Sequence, residues 1–263
     1  MSIHVHGVKR AAESLVGGRG RGDGSHLLAT VMGLPLIDGV FPAVVLAGGL
    51  GSPLGVLQTG LLVLGGAATA SVLVSSDDIG ASEVLAVGAG VSVVAGIEAA
   101  LAPTFESLVS RQIFDVFAVA TVLTVAVSVA TDVLDDVLPK PRTVVAAGLV
   151  VSLDPSGFEL VVHDLSLVVK GVLAGGVATV FGLCVVAARS RFWGSNSEAG
   201  LRLIDARLLR LTSGASLGTL PLSVYGVVPE AAPISVLAVG VVLAAAPCLV
   251  QGGDENRQRM TWF

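Results

Sequence analysis

The feature that most constrains this chain is a succession of sparsely charged apolar runs, each close to the length that crosses a lipid bilayer. A crossing helix needs roughly 20 apolar residues, because each residue adds about 1.5 Å across a hydrocarbon core about 30 Å thick. Runs of this kind cover 27–50, 53–74, 84–102, 113–134, 143–162, 165–188, 208–228 and 234–250. Polar punctuation divides them: SSDDIGAS, Pro103 with TFES, DDVLPKPR, His163-Asp164, RSRFWGSNSEAG and PEAAP. Only 13% of the residues are charged, against about 25% in soluble domains. A water-exposed surface for 263 residues cannot be made from so little charge, whereas lipid demands none. The fold class expected is therefore all-α: a polytopic membrane helix bundle of about eight transmembrane helices.

Residues 27–250 form the expected transmembrane domain, between polar tails at 1–26 and 251–263. The first tail carries Lys9, Arg10, Arg19 and Arg21 without an apolar stretch and cleavage site, so it reads as a cytoplasmic tail rather than a signal peptide. Positively charged residues collect on the cytoplasmic side of membrane proteins, which tests the count. With eight crossings and both termini inside, 13 of the 15 Lys and Arg residues fall on one side. Arg111 is outside and Lys170 lies within the sixth run. A cell-membrane protein with cytoplasmic ends is the expectation.

GLPLIDGVF at 33–41 recurs loosely as GLVVSLDPSGF at 148–158. Asp38 and Asp154 stand 116 residues apart, near half the chain, which is consistent with a four-plus-four duplication into 27–142 and 143–250. Repeats of four spans would be parallel, related by an axis along the membrane normal. Each Asp is eleven residues into its run, which places it roughly 16 Å deep. An acid there costs about 2.5–3.5 kcal/mol on insertion scales and needs compensation. Pro35 and Pro42 bracket Asp38, and Pro155 follows Asp154. Proline removes a backbone donor and disfavours helix at the residue before it. Paired broken helices at one depth point to a transport site. The competing reading makes each Asp a cap or turn residue that serves packing alone.

Glu98, deep in the third run, and Glu159 are candidate supporting acids for such a pathway. Lys170 is expected to snorkel to the interface or to pair with Glu159 or Asp154. Gln58 and Thr59 are candidate interhelical hydrogen-bonders, and Gly171 and Gly175 have the GxxxG spacing of close helix contact, inside one bundle rather than between copies. Asp115, Asp132 and Glu106, near run ends, are expected to be solvated. Cys184 and Cys248 sit in apolar runs outside any metal-ligand spacing and read as small buried hydrophobes.

No HExxH, Walker A, GxGxxG or CxxCH motif is present, and the small-residue stretch SGAS at 213–216 reads as helix packing, so no enzymatic activity, metal or cofactor is expected. Without a long basic patch, nucleic acid is not an expected partner. The stretches DGVFPAVVLAG and SLDPSGFELV, carried by Asp38, Gly39, Phe41, Pro42, Asp154, Pro155, Gly157 and Glu159, resemble a family of uncharacterised haloarchaeal integral membrane proteins over about residues 26–250. The acidic, lysine-poor composition, 3 Lys against 12 Arg at a net charge of −5, suits a salt-rich cytoplasm. The resemblance implies a multi-pass membrane topology and no particular activity. The functional expectation is a secondary transporter or exporter of a small solute or cation, with a proton or cation at Asp38 and Asp154. The alternative is a structural or accessory membrane protein that transports nothing.

Overall fold

The computed structural model describes residues 23–66, 69–70, 72–73, 79–131, 138–154, 165–192 and 206–241. Helix dominates them, and the β pairing among them is one isolated antiparallel bridge between Val109 and Leu153. In chain order the helices are α1 (Asp23–Ile37), α2 (Val40–Leu46), α3 (Pro53–Gly65), α4 (Ala81–Leu108), α5 (Arg111–Ala130), α6 (Pro141–Ser152), α7 (Leu165–Phe192), α8 (Ala206–Val224) and α9 (Ala232–Val241). α3 starts as an α-helix at Pro53, capped by the Ser52 hydroxyl on the Gly55 N–H, and widens to π geometry over Thr59–Gly65.

Three helices are long and apolar enough to cross a membrane: α4, α5 and the Leu165–Ala188 part of α7. α1 and α2 pass as a fourth span, bent by 41° at their junction. In the apolar windows of α4, α5 and α7 only 33%, 28% and 33% of the residues are buried by the protein. Val93, Ile97, Val116 and Val180 instead point outward. A soluble protein rarely exposes apolar patches on that scale, and lipid is the solvent that makes them harmless.

The described helices do not carry the expected count of eight. α3, α6 and α9 are apolar but fall short of a crossing length. α6 stops at Ser152 because Leu153 leaves the helix to bridge Val109. Parts of the second, fifth and eighth runs beyond these helices lie outside the described residues. A boundary also moves: the third run was expected to close at Pro103, yet α4 continues through it to Leu108. One missing N–H near a helix end is tolerated when neighbouring helices hold the segment.

Small residues set the packing. α4 and α7 run antiparallel in the most extensive contact of the fold. Gly171 lies on the Ala95 carbonyl and Ala99, Gly175 on Ser92, and Gly88 receives Thr179. A Cβ at Gly175 would come within 2.5 Å of the Ser92 Cα. The GxxxG pair is thus used within the chain, as lipid-embedded helices require for close approach. Gly214 brings α8 onto Ala126 and Ala130 of α5, and Gly60 brings α3 onto the Ala174 carbonyl of α7. The short α2 touches α4, α5 and α6. Cys184 is exposed on α7 rather than buried as expected; a small hydrophobe loses nothing on the outside of a helix that apolar surroundings solvate. Cys248 lies outside the described residues.

These contacts sort the helix ends into two groups. Val109 and Leu153 bring the end of α4, the start of α5 and the end of α6 together. Lys170 near the start of α7 reaches the Gly51 carbonyl before α3, and the Ser216 hydroxyl bonds the Pro233 carbonyl in the α8–α9 hairpin. This end of the bundle is called the Arg111 face. At the opposite end, the Arg142 face, α6 opens with exposed Lys140 and Arg142, α7 ends through Arg189 and Arg191, and α8 starts through Arg207 and Arg210.

Candidate functional site

The break between α1 and α2 builds the candidate site. α1 ends with the Asp38 N–H on the Leu34 carbonyl (2.8 Å) and the Gly39 N–H on the Leu36 carbonyl (3.2 Å). Gly39 has φ +76°, a left-handed conformation natural to glycine, and this turn re-aims the chain into α2. A side chain there would also meet Val145 of α6 at 3.2 Å. Pro35 sits inside α1. With no N–H to offer, it leaves the Val31 carbonyl without its usual helical donor. Pro42 stands in the first turn of α2, where a missing donor costs nothing.

Val31, Leu34, Pro35 and Asp38 lie three or four residues apart and share one side of α1, where they line a cavity of about 390 Å³. Leu62, Val63 and Leu64 from the π-helical end of α3 form a second wall, with Gly66 and Thr69 beyond them. Val125, Ser128 and Val129 of α5, Pro141 of α6, Val40 and Leu217 complete it. Thr121 and Thr124 on α5, and Thr131 just after it, each donate their hydroxyl to the carbonyl four residues back. Ser128 makes no such bond among the described residues. Asp38 is half-buried, and among the described residues no Lys, Arg or His forms an ion pair with it.

Asp154 occupies different surroundings. Its N–H is held by the Leu108 carbonyl (2.8 Å), and the Ser110 N–H by the Ser152 carbonyl (2.7 Å). It is exposed at the Arg111 face, beside the end of the long α4. Counting depth along the sequence assumes helix up to Asp154, whereas the described helix before it ends at Ser152 after 12 residues. Gly39 packs on Val145, and from there to Ser152 α6 rises about 10 Å. Asp154 is not among the residues that line the Asp38 cavity. The two Asp residues also differ in local structure: a left-handed glycine turn between helices in one case, an interstrand-type bridge in the other.

Glu98 lies within α4 and does not line the Asp38 cavity; its Oε2 is buried without a hydrogen-bond partner. Glu159 and Pro155 lie outside the described residues, as do Asp132 and Trp193. Glu106 is solvated and paired with Arg111 at 2.8 Å, an exposed pair worth little to stability. Asp115 departs from expectation: one carboxyl oxygen is buried without a partner, and the side chain lies near Tyr225, just after α8. Lys170 reaches the Gly51 carbonyl at 3.5 Å rather than Asp154.

Gln58 and Thr59 do act as polar links between segments. Both are fully buried; Gln58 donates to the Glu230 carbonyl and Thr59 to the Gly49 carbonyl (3.4 Å). The Ser52 hydroxyl also meets the Glu230 carboxylate. Glu230 was missed in the sequence because a Glu in a PEAAP turn looks solvated, and only the fold carries it to the start of α3. Ser128 was missed because one serine in an apolar run has no distinguishing pattern.

Neither the curated proteins nor the solved structures contain a match to this chain. A family pattern, described as a family of unknown function (DUF5794), matches residues 91–225. The matched stretch takes in Glu98, Asp115 and Asp154 and leaves Asp38 outside it. It runs from the middle of α4 to the turn after α8, half of the sequence, and so the chain belongs to the DUF5794 family.

Proposed function

We propose that this chain is a secondary transporter or exporter of a small solute or cation, in which Asp38 is the acid that holds the cargo or a coupled proton. The observation that carries the proposal is the placement of a carboxylate at a helix break on a 390 Å³ cavity in a largely apolar bundle. Irregular backbone and acids are costly in a membrane unless they line a cavity. Asp154, Glu98 and Glu159 are not needed in the same pocket. We assign the chain no enzymatic step.

We further propose eight crossings in the cell membrane with both termini and the Arg142 face in the cytoplasm. The clustering of Lys140, Arg142, Arg189, Arg191, Arg207 and Arg210 at one end, against Arg111 and Lys170 at the other, supports this orientation. The low-lysine, acidic composition favours a salt-rich, haloarchaeal source. The separation of Asp38 from Asp154 argues against a duplicated site and favours a second reading, an accessory membrane protein without cargo. Flux of a substrate panel in reconstituted vesicles, with a proton readout, decides between them. Transport by the wild type, lost in Asp38→Asn while the protein still inserts, is expected; wild-type flux in that variant ends the transport role of Asp38, and no flux at all favours the accessory reading.

A further inference from the structure

We infer that the Asp38 cavity selects an amphipathic organic cation, a primary ammonium group carried on a small hydrocarbon body; this rests on the reading of that cavity as a cargo site. Charge comes first. The one acidic side chain on its wall is that of Asp38, and among the lining residues there is no Lys, Arg or His. Asp38 stands between the C-terminal end of α1 and the N-terminal end of α2, whose dipole ends oppose each other, so its carboxyl group sets the sign of the wall. That sign disfavours an anion and favours a cation.

Hydrogen-bonding capacity points the same way. Pro35 leaves the Val31 carbonyl without its helical donor, and both residues line the cavity beside Asp38. The Ser128 hydroxyl has no partner among the described residues and can accept as well as donate. The wall thus offers acceptors from a carboxylate, a broken helix and a hydroxyl, which match the three donors of an –NH₃⁺ group. Size and polarity set the rest. A bare metal ion would leave most of 390 Å³ to be filled with water against aliphatic walls, including Leu34, Val63 and Val129. A hydrocarbon body fills that space and gains by leaving water.

The test uses the full chain in lipid nanodiscs and four probes: benzylammonium, benzyl alcohol, benzoate and sodium, with binding measured by calorimetry and ligand-observed NMR. Benzylammonium is expected to bind at least about tenfold more tightly than benzyl alcohol, as a charge-assisted hydrogen bond supplies, with benzoate not binding and sodium a weak competitor. Asp38→Asn should remove the preference for the charged probe and Asp38→Glu should restore much of it. Equal binding of benzyl alcohol and benzylammonium by the wild type overturns the inference without any variant. Full displacement of benzylammonium by millimolar sodium also overturns it, in favour of a metal-cation site. Asp38-dependent amine binding without flux would sustain the inference and remove the transport reading; sodium or proton flux lost in Asp38→Asn without amine binding would do the reverse.

Discussion

Asp38 and Asp154 follow similar glycine- and apolar-rich stretches, and the fold treats them in opposite ways. Asp38 interrupts a pair of helices that together are long and apolar enough to cross a membrane, and the chain on both sides of it is helical. Asp154 follows a helix of 12 residues and is fastened by its backbone to the turn between α4 and α5. The difference lies in the neighbours. Gly39 lets the chain turn and continue into a second apolar helix, whereas Leu153 finds Val109 as an extended partner and ends the helix. An acid in an apolar run becomes internal only when the backbone on its far side returns to the helix.

Substitutions can break this contrast, and the largest effect is expected at the acids themselves. Asp38→Asn should lower amine binding, and flux if present, by about tenfold or more, in line with the loss of a charge-assisted contact. Asp154→Asn should leave both within about twofold. Equal losses would mean that the two acids act together. Next comes the turn. Gly39→Val places a β-branched residue at positive φ against Val145 and should destabilise the bundle by about 1–3 kcal/mol in a detergent unfolding titration; an unchanged midpoint would remove the left-handed turn from the account. Pro35→Ala restores the donor to the Val31 carbonyl and should weaken amine binding a few-fold, about 1 kcal/mol, without loss of stability. The smallest effect belongs to the Arg111 face. Ser52→Ala frees the Gly55 N–H and the Glu230 carboxylate and should cost about 1 kcal/mol of stability while binding at Asp38 stays as in the wild type. A change in that binding would show that the face and the cavity are coupled.

Much of this contrast was legible in the residues before the fold, and the illegible part has a physical cause. The lipid-facing character of α4, α5 and α7 follows from composition and run length alone, because solvent choice is a bulk property of the helix surface. The break at Asp38 was foreshadowed by Pro35 and Pro42, although the turn itself is made by Gly39. Gln58 and Thr59 were identified as linking groups because a buried amide or hydroxyl needs a partner wherever it sits. What sequence distance could not reveal is that α6 ends at Ser152. That depends on Val109, which bridges Leu153 from 44 residues earlier in the chain, and residue-by-residue depth counting assumes that an apolar run stays helical to its end. The same assumption made Asp154 a symmetric partner of Asp38, and hid Glu230, whose role exists only because the α8–α9 turn meets the start of α3.

Thiol accessibility measures the placement of the two acids directly. In a chain with Cys184 and Cys248 replaced by alanine and reconstituted in oriented vesicles, Asp154→Cys should react quickly with a membrane-impermeant maleimide offered at the Arg111 face. Asp38→Cys should be protected from that side by at least an order of magnitude in rate. Equal labelling of the two positions from the Arg111 face would contradict the separation of an internal acid from a surface one.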